Sequence, residues 1–242
     1  MSSSSRVALV TGGERGLGAA AAKALRDAGF EVAASYLGGD KADAFHKATG
    51  IPVFEWDVSD FDACGAGIAR VEEELGPIDV LVNNAGVNKD RMLHKMDRAD
   101  WDAVIDVDLG SMFNMCRHII PGMRKREYGR VINISSVNAA NGQAGQTNYC
   151  AAKAGVEGFT RALARESVFK GITVNAISPG YVETAMVTAM PQKIIDNIVA
   201  QIPVGRLGQP DEIAHWVRLL ASEDAGFVTG ATFPINGGLR MG

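Results

Sequence analysis

Three polar residues in the chain have the types and the spacing that carbonyl reduction needs. Tyr149 and Lys153 are four residues apart, so on a helix they would lie one turn apart on the same face. Ser136 ends the apolar run "RVINISS" upstream of them. Tyrosine has a reference pKa of about 10, so a neighbouring cation helps it to donate a proton near neutral pH. Each residue alone is typical of a solvated surface, but together they predict a proton-transfer site, with the serine hydrogen-bonding the substrate oxygen.

A glycine-rich loop follows the first predicted strand. The stretch "LVTGGERGLGAAAAKAL" places Gly12, Gly16 and Gly18 between an apolar run and an alanine-rich helix. Glycines permit a tight turn there and let a pyrophosphate approach the backbone at a helix N-terminus. The spacing is not the strict Gly-x-Gly-x-x-Gly of the general fingerprint. The loop alone is therefore compatible with nucleotide binding or with a structural turn, and its position on the first strand favours nucleotide binding.

The end of the second predicted strand bears on cofactor choice. An acidic residue there would bind the ribose hydroxyls and disfavour a 2′-phosphate, but the sequence has Tyr36. Arg15 in the glycine loop could reach such a phosphate, and so could Lys41, although Lys41 is equally consistent with a solvated helix start. We therefore predict NADP(H) in preference to NAD(H), which stays possible.

Short β-rich runs alternate with longer helical segments along all 242 residues. This alternation predicts an α/β fold: a single doubly wound, Rossmann-like parallel sheet with helices on both faces, in one domain spanning 1–242. No internal repeat or linker divides the chain. Ligands of such folds bind at the carboxyl ends of the strands, which here read "TGGERGLG", "SY", "WDVSD", "NNAGVNKD", "ISSVN" and "SPGYVET".

Composition argues against several other classes of protein. The net charge is −4 with no basic run to follow a phosphate backbone, so we expect no nucleic-acid partner. No apolar run approaches the roughly 18 residues of a membrane span, and "MSSSSRVALVTGG" has no signal-peptide pattern. Three widely spaced cysteines (Cys64, Cys116 and Cys150) suggest reduced, buried thiols in the cytoplasm, and the four histidines show no spacing suited to a metal.

The combined motifs resemble the classical short-chain dehydrogenases/reductases over essentially the whole chain. The residues that carry the resemblance are Thr11-Gly12-x-x-x-Gly16-x-Gly18, "NNAG" at 83–86, Ser136, Tyr149-x-x-x-Lys153 and "SPG" at 178–180. Within that family, "MDRADWDAVIDVDL", "ISSVNAANGQAGQTNY", "SPGYVETAMV" and "INGGLRMG" look most like acetoacetyl-CoA reductases of polyhydroxyalkanoate synthesis. The resemblance thus implies reduction of a short 3-oxoacyl-CoA to the (R)-3-hydroxyacyl-CoA.

The resemblance also implies roles for individual residues. Tyr149 would be the general acid, Lys153 would hold the nicotinamide ribose and tune the tyrosine, and Ser136 would orient the carbonyl. The residues expected around the dinucleotide are Gly12, Arg15, Gly16, Leu17, Gly18, Tyr36, Trp56, Asp57, Val58, Asn84, Ala85, Gly86, Val87, Pro179, Gly180, Val182 and Thr184. Those expected around the acyl-CoA are Asp90, Lys95, Gln143, Gln146 and Tyr181. For Lys95 a plain solvated lysine, and for Asp90 a loop cap, are equally open.

One position departs from the family pattern. The fourth catalytic residue of the family is usually an asparagine, and "DVDLGSMFN" has Asp108 there. In the family account the main-chain carbonyl of this residue holds a water that leads to the lysine, so we expect activity to be retained. An ionised carboxylate could instead perturb Lys153.

Alternatives remain for the carrier, the assembly and one helical segment. A 3-oxoacyl-acyl-carrier-protein reductase should expose a basic patch, for which Arg124, Lys125, Arg126 and Arg130 are candidates. A non-enzymatic dinucleotide sensor is a third class, disfavoured by the intact Ser, Tyr and Lys set. Met186, Met190 and the segment that follows them could form a lid or a buried core helix. The family likeness implies a homotetramer built from the helices near 97–118 and 149–169.

Overall fold

The structure is a computed structural model that describes residues 5–241, without the side chain of Met186. The expectation of no leader segment concerns residues 1–4, which lie outside the described residues. The predicted lid contact of Met186 lies outside them too. Seven strands form one sheet, all of them parallel. The strands are β1 (Val7–Thr11), β2 (Glu31–Tyr36), β3 (Val53–Glu55), β4 (Ile78–Asn83), β5 (Gly129–Ile134), β6 (Ile172–Pro179) and β7 (Thr232–Ile235).

Helices connect successive strands, as parallel pairing requires. They are α1 (Gly16–Asp27), α2 (Lys41–Thr49), α3 (Phe61–Leu75), α4 (Arg98–Ile105), α5 (Ser111–Arg126), α6 (Asn138–Asn141), α7 (Thr147–Ser167), α8 (Ala185–Thr188), α9 (Gln192–Val199) and α10 (Pro210–Ala221). A π-helical turn, Asp106–Gly110, joins α4 to α5. Asp60 and Asp97 begin α3 and α4 by accepting backbone N–H groups at 2.9 and 2.8 Å.

The two faces of the sheet bury separate apolar clusters. In β1, Val7 and Leu9 pack with residues of α3 and α5, while Ala8 and Val10 pack with residues of α1 and α10. Alternate residues of a strand point to opposite faces, so the continuous apolar run of β1 reflects burial on both sides. The predicted doubly wound α/β fold with helices on both faces is confirmed.

The strand order positions the site. The order is β3-β2-β1-β4-β5-β6-β7, so the chain proceeds outward from β1 to β3 and then crosses back to β4. Strand order reverses between β1 and β4, and ligands of open α/β sheets bind at such a switch point. The glycine loop after β1 and the "NNAG" segment after β4 therefore meet at the edge where the sequence predicts a dinucleotide.

Candidate active site

A cleft of about 580 Å³ opens at the carboxyl ends of β1, β4, β5 and β6. Ser136, Tyr149 and Lys153 all line it. The predicted dinucleotide residues that line it are Arg15, Gly16, Leu17, Asn84, Gly86, Pro179, Gly180, Val182 and Thr184. The structure therefore brings the predicted proton-transfer residues and much of the predicted cofactor set to one cavity.

The glycine loop and the segment after β4 are tied together by polar contacts. Thr11 Oγ1 accepts the backbone N–H groups of Asn84 and Ala85 at 2.9 and 3.0 Å. The Asn84 side-chain amide donates to the carbonyl oxygens of Thr11 and Gly12 at 2.9 and 3.1 Å. The Asn84 amide group thus supports the glycine loop.

The loop geometry fits a pyrophosphate. A Cβ on Gly18 would lie 2.1 Å from the Gly12 carbonyl oxygen, so no side chain is possible there. Gly12 and Gly16 have φ values of +58° and +53°, in the left-handed region that favours glycine. The first turn of α1 contains no acidic residue, which leaves its positive end available to an anion. These features meet the requirements of a dinucleotide site.

The proton-transfer residues come from two elements. Ser136 follows β5, and its Oγ accepts the Asn138 backbone N–H at 3.2 Å, which leaves the hydroxyl hydrogen available to the cleft. Tyr149 lies half-buried in the first turn of α7, with Lys153 one turn further on, as the spacing predicts. The Lys153 Nζ lies 5.5 Å from the centre of the Tyr149 ring. A cation therefore lies beside the tyrosine.

Lys153 is buried with two oxygen partners. Its Nζ donates to the Ile134 carbonyl at 3.1 Å and lies 3.2 Å from Asp108 Oδ2. Burial removes water from the ammonium and by itself lowers the pKa, but the charges of Asp108 and Tyr149 and the Asp108 hydrogen bond outweigh it and raise the Lys153 pKa. Lys153 therefore stays charged at neutral pH.

A polar chain lies at the substrate end of the cleft. Gln146 Nε2 donates to Asp90 Oδ2 at 2.8 Å, and its Oε1 accepts from Asn138 Nδ2 at 3.0 Å. Asp90, Gln146 and Tyr181 line the cavity. Lys95, in a single turn of 3-10 helix, and Gln143 are exposed and lie outside the lining. The first three are thus placed where an acyl group would enter, and the roles of all five stay predictions.

The adenosine end carries charges of both signs. Arg15 and Lys41 line the cleft, and Arg15 Nε lies 3.4 Å from Oε1 of the largely buried Glu14 side chain. Tyr36, at the end of β2, donates to Glu55 Oε2 at 3.5 Å. Glu14 is a nearby carboxylate that the sequence reasoning passed over.

The remaining predicted adenosine residues lie behind the lining. Trp56 and Val58 are buried in the core. Asp57 Oδ1 accepts the backbone N–H and the hydroxyl of Ser59 at 2.8 and 2.7 Å, which fixes the turn after β3. Gly12, Gly18, Ala85 and Val87 shape the loops without lining the cavity. A contact of these residues with the adenosine stays a prediction.

Other residues line the cleft that the sequence reasoning did not single out, although it placed ligands at the strand ends that contain several of them. These include Asn88, Ser135, Val137, Asn138, Ala185 and Val187. The positions of Ser135 and Asn138, on either side of the predicted serine, were the available signal. Met190 lines the cleft. The helix that follows it, α9, contains no buried residue, so the alternative of a buried core helix is wrong for α9.

Comparisons with known proteins agree with this geometry. A family model described as enoyl-(acyl carrier protein) reductase matches residues 12–240. The chain is 60% identical over 236 residues to an acetoacetyl-CoA reductase of Shinella zoogloeoides, which covers 97% of this chain and 98% of the relative. The chain belongs to the short-chain dehydrogenase/reductase family.

Two further relatives of this short-chain dehydrogenase/reductase differ in the carrier that their names give for the substrate. An acetoacetyl-CoA reductase of Rhizobium meliloti is 58% identical over 97% of this chain and 98% of its own. A 3-oxoacyl-[acyl-carrier-protein] reductase of Pseudomonas aeruginosa is 45% identical over 100% of both chains. The predictions of family and of enzyme are confirmed: the protein is an oxidoreductase that acts on a CH–OH/C=O group, and the family implies a nicotinamide dinucleotide.

Membrane spans and metal sites were sought among the described residues of this short-chain dehydrogenase/reductase. No helix within 5–241 is both long and apolar enough to cross a membrane. Nor does that part of the chain contain three His, Cys, Asp or Glu residues grouped so that they could hold a metal ion.

Proposed function

We propose that the protein reduces acetoacetyl-CoA, or a similarly short 3-oxoacyl-CoA, to the (R)-3-hydroxyacyl-CoA with NADPH. The observation that carries the proposal is the assembly of Ser136, Tyr149 and Lys153 in one cleft, in a chain 60% identical to an acetoacetyl-CoA reductase. The (R) configuration follows from the family likeness. The product would serve as a precursor for polyhydroxybutyrate.

The residues divide the work at the substrate carbonyl. Ser136 Oγ donates a hydrogen bond to the carbonyl oxygen and holds it towards Tyr149. The Tyr149 hydroxyl gives its proton to that oxygen as negative charge develops there. The buried Lys153 ammonium favours the resulting tyrosinate until a proton from solvent restores the hydroxyl. A nicotinamide dinucleotide held by the glycine loop and the residues after β4 and β6 would supply the hydride for the new C–H bond. The C=O double bond thus becomes CH–OH.

The cleft surroundings suit a short acyl group. Val137 and Asn138 follow Ser136 in the cleft lining, and Asn138 is joined to Gln146 and Asp90 by hydrogen bonds. The loop between Ser136 and Tyr149 has no large aromatic and no charged side chain. Thr184, Val187 and Met190 line the edge beyond Tyr181, where a lid would cover the pantetheine arm.

Coenzyme A is the proposed carrier because the acetoacetyl-CoA reductases are 60% and 58% identical to this chain and the acyl-carrier-protein reductase 45%, and because Arg130 of the expected basic patch is buried. Arg130 is buried and donates to the carbonyls of Ser222, Gly129 and Gly171. Arg126 donates to the Ile78 carbonyl, and Arg124 to that of Glu166. Arg124 and Arg126 nevertheless stay on the exposed surface with Lys125, since hydrogen bonds to neutral carbonyls leave their charge in place. The 45% identity to the Pseudomonas reductase keeps the carrier protein as the second candidate.

NADPH is the proposed cofactor because two cations line the adenosine end. Arg15 and Lys41 face the cleft, and Tyr36 ends β2 where an acidic residue would favour NADH. The pairing of Arg15 with Glu14 tempers this preference, since a 2′-phosphate would compete with that carboxylate.

The assembly and location are further parts of the proposal. We place the protein in the cytoplasm as a homotetramer, with α5 and α7 at a subunit contact. Phe113 on α5 is 55% exposed and stacks on Phe61, which is 39% exposed, so two neighbouring rings present apolar surface on this face. Light scattering should give four times the 25.6 kDa chain mass, and a monomeric mass would overturn the claim.

Product analysis tests the reaction directly. Incubation with acetoacetyl-CoA and NADPH should give a thioester about two mass units heavier, since one hydride and one proton are added. Chiral chromatography of the hydrolysed acid should give the (R) form. A product of (S) configuration, or none, would contradict the proposal.

A further inference from the structure

Asp108 occupies a position that joins the cofactor loop to the catalytic lysine. It is fully buried in the π-helical turn Asp106–Gly110. Its Oδ1 accepts the Val87 backbone N–H at 2.8 Å. Its Oδ2 lies 3.2 Å from Lys153 Nζ, and no other group among the described residues bonds that oxygen. The side chain, and not only the backbone, therefore reaches the lysine.

The surroundings are shaped for this carboxylate. A Cβ on Gly86 would lie 2.9 Å from Asp108 Oδ2, so a side chain there would displace the group. The π-helical turn adds a residue to the helical repeat between α4 and α5, and such turns commonly present a side chain at a functional site. Gly86 itself lines the cleft. Asp108 therefore lies directly behind the part of the cavity wall that Gly86 and Lys153 form.

The two charges depend on each other. Each side chain is almost fully removed from water, at 4% exposure for Lys153 and 0% for Asp108. A buried charge without a partner is strongly unfavourable, and a paired one is tolerated. A lysine held in an ion pair exerts a smaller electrostatic effect on its neighbours than an isolated ammonium, because the carboxylate field opposes its own.

We propose that Asp108 is a positioning residue that holds Lys153 in an ion pair. Because of this pairing, Tyr149 stays protonated and reduction stays active up to a higher pH than they would with a neutral residue at position 108. The proposal rests on the proposed reductase function for its kinetic consequence. It goes beyond the family likeness, which assigns a role only to the main-chain carbonyl of this residue.

Other charged or titratable groups lie around the pair and the cleft. They are Tyr149 and Glu157 on α7, Asp106 in the π-helical turn, Asp100 with its partner Arg91 next to Asn148, and Arg15, Lys41, Asp90 and Tyr181 in the cleft lining. Within the described residues, Asp108 is the one carboxylate at ion-pair distance from Lys153. The substitution of Asp108 therefore changes the nearest charge and leaves the others in place.

The test compares Asp108→Asn with the wild type and with Asp106→Asn. Asparagine keeps an oxygen for the Val87 N–H and removes the charge, and the exposed Asp106 loses the same charge in the same turn. Two readouts are measured: the alkaline midpoint of the reduction rate, and tyrosinate absorbance near 295 nm in the cofactor-free protein, as a difference from the same protein carrying Tyr149→Phe. The absorbance needs no substrate, so a wrong substrate does not affect it.

We expect both midpoints to fall by about one pH unit in Asp108→Asn, because the lysine is no longer neutralised, and to move by less than about 0.3 in Asp106→Asn. Unchanged midpoints with a lower rate would overturn the proposal and leave Asp108 a structural role.

The double variant Asp108→Asn with Lys153→Met covers the case in which Asp108→Asn does not fold. Its tyrosinate midpoint should lie within about half a unit of the wild type, since a pair of opposite charges has been replaced by a neutral pair. A rise of two units or more would show that Lys153 acts as an unneutralised cation.

Discussion

Thr11 and Asn84 join the ends of two neighbouring strands: Thr11 Oγ1 accepts the Asn84 N–H, and the Asn84 amide donates to the Thr11 carbonyl, both at 2.9 Å. The contact holds the glycine loop of β1 against the segment after β4. Because both partners are at the switch point of the sheet, the shape of the dinucleotide site depends on this pair.

Thr11→Val should therefore weaken the fold and the cofactor site. Thr11 is 2% exposed, so its loss leaves the N–H groups of Asn84 and Ala85 without their acceptor. Each unsatisfied buried group costs about 1–3 kcal/mol, and we expect a loss of about 2 kcal/mol in the free energy of unfolding measured in urea. Thr11→Ser keeps the hydroxyl and should lose less than half as much. Equal losses in the two variants would show that the methyl group, and not the hydrogen bonds, matters.

Gly18→Ala should abolish cofactor binding. The added Cβ would meet the Gly12 carbonyl oxygen at 2.1 Å, and that backbone cannot move without breaking the loop. Fluorescence titration with NADPH should show at least a hundredfold weaker affinity. Gly158→Ala is the control, because a Cβ there meets nothing within 4 Å and a helical glycine-to-alanine change stabilises by about 1 kcal/mol. A Gly18→Ala protein that binds NADPH normally would contradict the assignment of the loop.

Tyr149→Phe should separate proton transfer from binding. The substitution removes the hydroxyl and keeps the ring beside Lys153. General acid catalysis contributes about 10²–10⁴ in rate, so kcat should fall by that factor while the Kd for NADPH changes less than about twofold. Tyr181→Phe, which removes a hydroxyl from the same cleft, should retain most of kcat. Comparable losses in both variants would argue against Tyr149 as the proton donor.

Arg15→Ala should alter cofactor preference. The guanidinium lines the adenosine end, where a charge-assisted contact to a 2′-phosphate is worth about 1.5 kcal/mol, roughly a tenfold effect. We expect kcat/KM for NADPH to fall about tenfold and that for NADH to change little. Lys23→Ala, an exposed change on α1, is the charge control. A wild-type enzyme that already prefers NADH would refute the NADPH assignment and direct attention to Glu14.

Lys153→Met should destabilise the protein in a pH-dependent way. The folded-state pKa of Lys153 is raised above 10.5, so its contribution to stability is fully present below about pH 10.5 and is lost as the pH rises through the folded value. Breaking a buried ion pair from one side costs about 3–5 kcal/mol. Denaturant unfolding of wild type and variant should show that difference at pH 7 and 9, and a smaller one above pH 11. A difference that grows with pH would contradict the sign of this linkage.

Most of the fold could be predicted because its signals are local. Buried parallel strands read as continuous apolar runs, and the glycines of the first turn and the Tyr149–Lys153 spacing on one helix lie within a few residues of each other. The family motifs then joined segments that are distant in the chain. Those motifs cover the strand ends, which meet only because the sheet is parallel.

The unpredicted features depend on tertiary placement. The sequence left open whether the Asp108 carboxylate acts on Lys153, because no spacing in the sequence encodes the π-helical turn from which the two side chains meet. Arg130 looked like part of a basic surface patch, but its side chain turns into the protein, where it binds backbone carbonyls. Lys95 and Gln143 were expected beside the substrate, and each lies on the exposed side of its segment.

The proposed function is tested most directly by kcat/KM for NADPH oxidation, followed at 340 nm, with acetoacetyl-CoA and with the acetoacetyl thioester of an acyl carrier protein. We expect a value for the coenzyme A substrate in the ordinary enzymatic range, about 10⁴–10⁸ M⁻¹s⁻¹, and at least tenfold above that for the carrier-protein substrate. A clear preference for the carrier protein, or no NADPH oxidation with acetoacetyl-CoA, would contradict the proposed function.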